Sequence, residues 1–207
     1  MTYNRADLSA LANVIKQYEI FVLSDEIYSE LTYSGTHVSM GEILPDQAIV
    51  LNGVSKSHAM TGWRVGITAG PAAIIQQIGK VSEFTITSVT TNAQRAAEEA
   101  LKNGMEDSQP MKQAYRKRRD FLMKALPEAG LEVPHPDGAF YIFAKLPDRF
   151  HDSWKFVYAL AREAKVAVIP GASFGPGGEG YVRISYAASM ADLKLAAERI
   201  KQFMATH

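Results

Sequence analysis

Apolar positions along the chain follow two periods, and the alternation between them predicts its elements. Over residues 4–16, Leu8, Leu11 and Ile15 fall on one helical face, with Asn4 where an N-cap belongs and Asp7 in the first turn. Short, continuously apolar runs follow at residues 20–25, 48–52 and 64–70. Runs of this kind, separated by helices, predict strands of a sheet covered on both faces. Pro71 opens a predicted helix extending to about Phe84, since proline is tolerated in a first turn, and Thr91 to Lys102 forms another.

The pattern shifts near Asn103-Gly-Met-Glu-Asp-Ser-Gln-Pro110, a polar and glycine-containing stretch that predicts a boundary or bend. A long helix comes next, with Met111, Tyr115, Leu122 and Leu126 near one stripe. Residues 138–145 and 180–186 read as strands, flanked by helices at about Ser153 to Glu163 and Met190 to Met204. Ser189 with Asp192 gives the last helix a capping-box-like start. The expected organisation is α/β over residues 1–105 and a small α+β domain over residues 106–207.

Composition narrows the function classes. The 22 basic and 22 acidic residues cancel, so no global field favours nucleic acid or an anionic membrane. The basic run Arg116-Lys-Arg-Arg119 is therefore expected to be a solvated helix face. Cysteine is absent, which excludes disulfides and thiolate metal sites and suits a reducing cytoplasm. No apolar run is long enough to span a bilayer as a helix. The five histidines show no metal-ligand spacing, so no metal is expected.

Open α/β sheets place ligands at strand ends, and two ends here carry polar groups: Ser24-Asp-Glu-Ile-Tyr28, and Asn52-Gly-Val-Ser-Lys56 continuing to Arg64. Singly, each has an ordinary explanation. Lys56 could be a solvated surface lysine, Asp25 beside Glu26 a helix cap or half of a magnesium site, and Arg64 an ion-pair partner. Together they form a set. A lysine that attacks a carbonyl must shed its proton, and burial with Arg64 nearby would favour that. Asp25 could keep a pyridine ring nitrogen protonated, Tyr28 could hydrogen-bond a ring oxygen, and Arg64 matches a phosphate by its planar fork. The Gly175-Pro-Gly-Gly178 loop could suggest a phosphate cradle, but it lacks a following lysine and helix start. A mobile active-site loop or a strand-connecting loop is the expectation.

The run Gly53-Val-Ser-Lys56-Ser-His-Ala-Met-Thr-Gly-Trp-Arg64-Val-Gly66 resembles the lysine-attachment signature of class I and II aminotransferases, pyridoxal-phosphate (PLP) enzymes of fold type I. Asp25-x-x-Tyr28, Pro136-Asp-Gly-Ala-Phe-Tyr141, Val168-Ile-Pro-Gly171-Ala-Ser-Phe-Gly175 and Tyr181-Val-Arg183 are similar to further motifs of that family. The resemblance implies part of the PLP-binding large domain, a truncated and mostly parallel sheet with helices, then the small domain. It assigns Lys56 to covalent cofactor attachment and proton transfer, Asp25 to the pyridine nitrogen and Tyr28 to the ring oxygen. Arg64, with Ser55, would hold the phosphate, and Arg183 the substrate carboxylate. Gly53 departs from relatives that carry a phosphate-binding serine there.

The implied reaction moves an amino group from an L-amino acid of aromatic, aspartate or diaminopimelate type to a 2-oxo acid, in a cytoplasmic homodimer. Family members are about twice as long. The resemblance thus implies a further N-terminal part holding the phosphate-binding turn and the ring-stacking aromatic, and this chain alone is expected to be inactive or nearly so. Two rivals stand beside that reading. One is a PLP-dependent β-lyase on the same scaffold; the other is a catalytically silent fragment that self-associates.

Overall fold

Asn4 closes a capping box with Asp7: its Oδ1 accepts the Asp7 amide at 3.0 Å while its own amide donates to Asp7 Oδ2 at 3.1 Å. This box starts helix α1 (Arg5–Ile15), whose Leu8 and Ala12 are buried. Leu11, expected on the same face, is exposed; the buried stripe runs instead through Leu8, Ala12 and the partly buried Ile15. Leu8 and Ala12 share a core with Met40, Leu44 and Ala48.

The computed structural model describes residues 2–207. The chain divides into two compact units, residues 2–112 and 113–207. After α1, the first unit holds β1 (Val22–Asp25), α2 (Met40–Ile43), β2 (Ala48–Asn52), α3 (Val54–Ser57), β3 (Ile67–Ala69), α4 (Ala72–Ile86) and α5 (Thr91–Lys102). Its sheet has the order β1-β2-β3. β1 and β2 are parallel, with Asp25 opposite Leu51, whereas β3 runs antiparallel to β2. The third strand is shorter than the predicted 64–70. Residues Thr61–Trp63 form a 3-10 turn, and Arg64 is left-handed at φ 57°, a conformation that cannot continue into a ladder.

Continuous apolar runs predicted a sheet covered on both faces, but this unit leaves much of that surface open. Leu23 is 66% exposed, α4 buries no residue, and Phe84 at its end is 92% exposed. Apolar surface of this extent on one helix and one strand favours association in water. The isolated chain is expected to self-associate with rising concentration. A V81E/F84E double variant should shift its light-scattering mass toward monomer, and an unchanged mass would show these side chains are not responsible.

Helix α6 (Ser108–Glu128) spans the division between the units. The second unit continues with β4 (Tyr141–Lys145), α7 (Ser153–Ala159), β5 (Ile169–Pro170), β6 (Tyr181–Ser185) and α8 (Met190–Thr206). Its sheet is antiparallel in the order β4-β6-β5. Burial alternates strictly along β4 and β6: Ile142, Ala144, Val182 and Ile184 point inward. Buried Leu122 and Leu126 of α6, and Leu193, Ala197, Ile200 and Phe203 of α8, supply apolar faces to this unit. Ser189 caps α8, accepting the Asp192 amide at 3.1 Å. The chain is thus an α/β unit followed by a small α+β unit.

Two expectations for this second unit are revised. Residues 116–119 are not a uniformly solvated face: Arg116 and Lys117 are exposed, but Arg119 is buried, donating to Asp120 at 2.7 Å and to the Pro136 carbonyl at 3.1 Å. The helix predicted to Glu163 stops being α-helical at Ala159 and continues as a π turn over Leu160–Ala164. The Gly175–Gly178 loop joins β5 to β6. A Cβ on either Gly171 or Gly178 would run into the other's backbone, so these glycines serve close approach between strand connections. Glu179 fastens the loop, accepting the Ser153 amide at 2.6 Å and the Gly180 amide at 3.0 Å. Those backbone bonds hold its carboxyl below the ordinary carboxylate range.

Candidate active site

Because β1 and β2 are parallel neighbours, their polar C-terminal ends open on the same edge of the sheet. Asp25 is the last residue of β1 and is exposed there. Ile27 donates its amide to Asp25 Oδ1 at 3.2 Å, a local turn that fixes the carboxylate. Tyr28 follows, half-buried.

At the end of β2, Asn52 Oδ1 accepts the Gly53 amide at 2.7 Å and its Nδ2 donates to Ser29 at 3.3 Å, joining the two strand ends through side chains. Lys56 was expected to gain burial from a strand. It stands instead on α3, the single helical turn after β2, and is half-buried. Lys56 Nζ lies 5.9 Å from the centroid of the Tyr28 ring, so the amine and the phenol share one locality.

Ser55 and Arg64 are tied to this turn by local bonds. Thr61 donates its hydroxyl to the Ser55 carbonyl at 3.0 Å, and Arg64 Nη1 donates to the Thr61 carbonyl at 2.9 Å. The chain passes so near the end of β2 that a Cβ on Gly53 would stand 2.9 Å from the Val65 carbonyl oxygen. That close approach explains glycine at position 53, where a phosphate-binding side chain would need the backbone to move. His58 takes a structural role: its Nδ1 is 2.8 Å from Ser57 Oγ and its Nε2 is 3.0 Å from the Gly104 carbonyl.

The residue that sequence reasoning underrated is Glu26. It entered only as the neighbour of Asp25, yet it is only 7% exposed and its carboxylate is surrounded by donors. Oε1 accepts from Ser24 Oγ, Ser39 Oγ and the Met40 amide, each at 3.0 Å, and Oε2 lies 2.8 Å from His37 Nε2. Burial pushes this carboxyl up, but the bonds from His37, Met40, Ser39 and Ser24 outweigh it and hold it below the ordinary value of 4.5. Glu26 therefore contributes stability that is complete above pH 4.5 and is lost as pH falls through its lowered folded value. Urea unfolding should show wild type exceeding Glu26→Gln by about 2 kcal/mol near neutrality, with the gap closing in acid. A gap independent of pH would contradict this. No group of three or more His, Asp or Glu side chains among the described residues could hold a metal ion.

Arg183 belongs to the second unit, apart from the other five candidates. It lies on β6 opposite Phe143, on the face away from the buried Val182 and Ile184. Its guanidinium carbon is 4.4 Å from the Tyr141 ring centroid and 4.5 Å from that of Phe174. Phe143 also stacks on Tyr181 at 5.2 Å. The head group is thus held against two aromatic rings. The period-two spacing of Tyr141 and Phe143, and of Tyr181 and Arg183, could have revealed this shared face.

The class I and II aminotransferase family model matches residues 1–200. The chain belongs to that family. It is 44% identical over 204 residues to a probable N-acetyl-LL-diaminopimelate aminotransferase of Bacillus subtilis, covering 99% of this chain and 52% of that protein. An aspartate aminotransferase of the same organism is 39% identical over 215 residues, with 99% and 54% covered. The solved aromatic aminotransferase of Pyrococcus horikoshii OT3 superimposes with a TM-score of 0.95 at 38% identity, covering 99% of this chain and 56% of that one. The chain spans about half the length of the curated relatives it matches. Among the described residues, no helix is long and apolar enough to cross a membrane.

This family implies PLP, and the residues present suit it. One sheet edge offers an amine, a carboxylate and a phenol, with an arginine tied back to the lysine-bearing turn.

Proposed function

We propose that this chain supplies the lysine-bearing part of a PLP-dependent aminotransferase site, for transfer of an amino group from an L-amino acid to a 2-oxo acid. The observation that carries the reading is the meeting of Asp25, Tyr28 and Lys56 at the parallel β1–β2 edge, with Lys56 Nζ 5.9 Å from the Tyr28 ring. When bound, PLP supplies an electron sink for the pair left behind as the substrate α-carbon gives up its proton.

The chain's own residues do the rest. Lys56 would hold the cofactor through Nζ, and its amine would carry the proton from the substrate α-carbon. Asp25 keeps the ring nitrogen protonated, and Tyr28 donates to the ring oxygen. Arg64 and Ser55 hold the phosphate. Arg183 would clamp the substrate carboxylate by its planar fork. Aromatic, aspartate and diaminopimelate-type amino acids are the proposed substrate range, with a cytoplasmic homodimer as the working assembly. The range is supported by the names of the relatives.

The test is a PLP titration of the purified chain, followed by borohydride reduction and peptide mass mapping. A single modified peptide bearing Lys56 is expected. Labelling scattered over surface lysines would overturn the assignment. In a protein that turns over, pyruvate release from a cysteine conjugate without a 2-oxo acid acceptor would point to β-elimination instead.

A further inference from the structure

Glu26 sits between the two residues assigned to the cofactor ring, buried, and the chemistry proposed above makes no use of it. A buried carboxylate is costly unless its lone pairs are engaged, and here both oxygens are. Its partners lie on two separate stretches: Ser24 on β1, then His37 and Ser39 before α2 and Met40 at its first residue. Ser39 relays the contact, accepting the Gly41 amide at 3.1 Å while donating to Glu26. The backbone is fixed as well. The Glu26 amide donates to the Leu51 carbonyl at 2.8 Å, carrying the β1–β2 ladder one residue past Asp25, and the Glu26 carbonyl accepts the Ser29 amide at 2.9 Å.

We propose that Glu26 is a positioning residue: a buried carboxylate clamp that joins the strand-end turn 24–28 to residues 37–40 and so sets where Asp25 and Tyr28 stand relative to Lys56. The inference rests on the assignment of Asp25 and Tyr28 to the cofactor. A network with every member satisfied has one well-defined arrangement, whereas loss of its centre leaves four donors to find others. Displacements of the order of an ångström at a catalytic constellation cost about a hundredfold in rate, so the clamp's effect should appear in cofactor binding rather than in stability alone.

The experiment compares wild type, Glu26→Ala, Glu26→Gln and Leu193→Ala, the last removing a buried apolar side chain of α8 in the second unit, outside the clamp. PLP affinity is read by absorbance, and backbone amide exchange is read on the cofactor-free chains. Glu26→Ala should weaken PLP binding about tenfold and speed exchange at residues 25–28 and 37–40 more than elsewhere. Glu26→Gln, which keeps the volume and one acceptor, should be intermediate in both; if Glu26→Ala does not fold, this variant carries the test. Leu193→Ala should lower the melting temperature yet keep wild-type PLP affinity.

Glutamate variants that match wild type in both readouts would overturn the proposal, as would Leu193→Ala weakening PLP as much as Glu26→Ala does. If wild type itself takes up no PLP, the assignment of Asp25 and Tyr28 fails separately. Amide exchange still judges the clamp, and unchanged exchange at residues 25–28 in Glu26→Ala would refute it.

Discussion

Lys56→Ala is expected to abolish stable capture of PLP by this chain. The wild-type amine sits on α3 with the Tyr28 ring 5.9 Å away, at the edge where Asp25 ends β1. Without it, the cofactor would keep only the ionic and hydrogen-bonding contacts of Asp25, Tyr28, Ser55 and Arg64. Each of these is exposed or half-buried, where charge contacts are weakened by water. Apparent PLP affinity should fall at least about a hundredfold, equivalent to about 2.7 kcal/mol. The absorbance band of the lysine-bound cofactor should vanish, and borohydride should fix nothing. Lys56→Arg should behave like alanine, since charge is kept and the nucleophile is lost. Retention of the band in either variant would place attachment elsewhere.

Arg183→Lys should have the second largest effect, on the substrate side. Lysine keeps the charge but loses the planar fork and its contacts with Tyr141 and Phe174, both within 4.5 Å of the arginine head. A bidentate carboxylate contact becomes a point contact on a more flexible stem, which costs about 2–3 kcal/mol, or roughly 30- to 150-fold in affinity. Titrating the PLP-loaded protein with a 2-oxo acid, and in parallel with its ester, separates this role from a structural one. The acid should bind more weakly to the variant, and the ester equally to both. Equal loss for acid and ester would mean that Arg183 merely supports the aromatic cluster.

Much of the architecture was legible because it is written locally. The Asn4 cap, the run Ala48–Asn52 and the helix Thr91–Lys102 each carry their signals within a few residues, and they form where the pattern put them. The assignment of an α/β unit followed by an α+β unit rests on such signals. The family was legible through the fourteen-residue stretch 53–66, where several unusual residues recur at fixed spacing.

What escaped the pattern depends on contacts across the chain or on backbone geometry. Glu26 meets His37, Ser39 and Met40, eleven to fourteen residues onward, and no local period encodes that. Arg119 looked like one more charge in a basic run, but the Pro136 carbonyl draws it inward. Arg64 read as the start of a strand, yet it takes a left-handed turn that bonds it back to Thr61. The continuous apolar runs were read as a doubly covered sheet; periodicity reports which side chains are apolar, not what packs on them.

The most direct test of the account is a crystal structure of the chain after PLP addition and borohydride reduction. Density should run continuously from Lys56 Nζ to the cofactor, with the ring nitrogen at Asp25, the ring oxygen at Tyr28 and the phosphate at Arg64. A cofactor joined to Lys56 but turned away from Asp25 and Tyr28, or joined to another lysine, would contradict it.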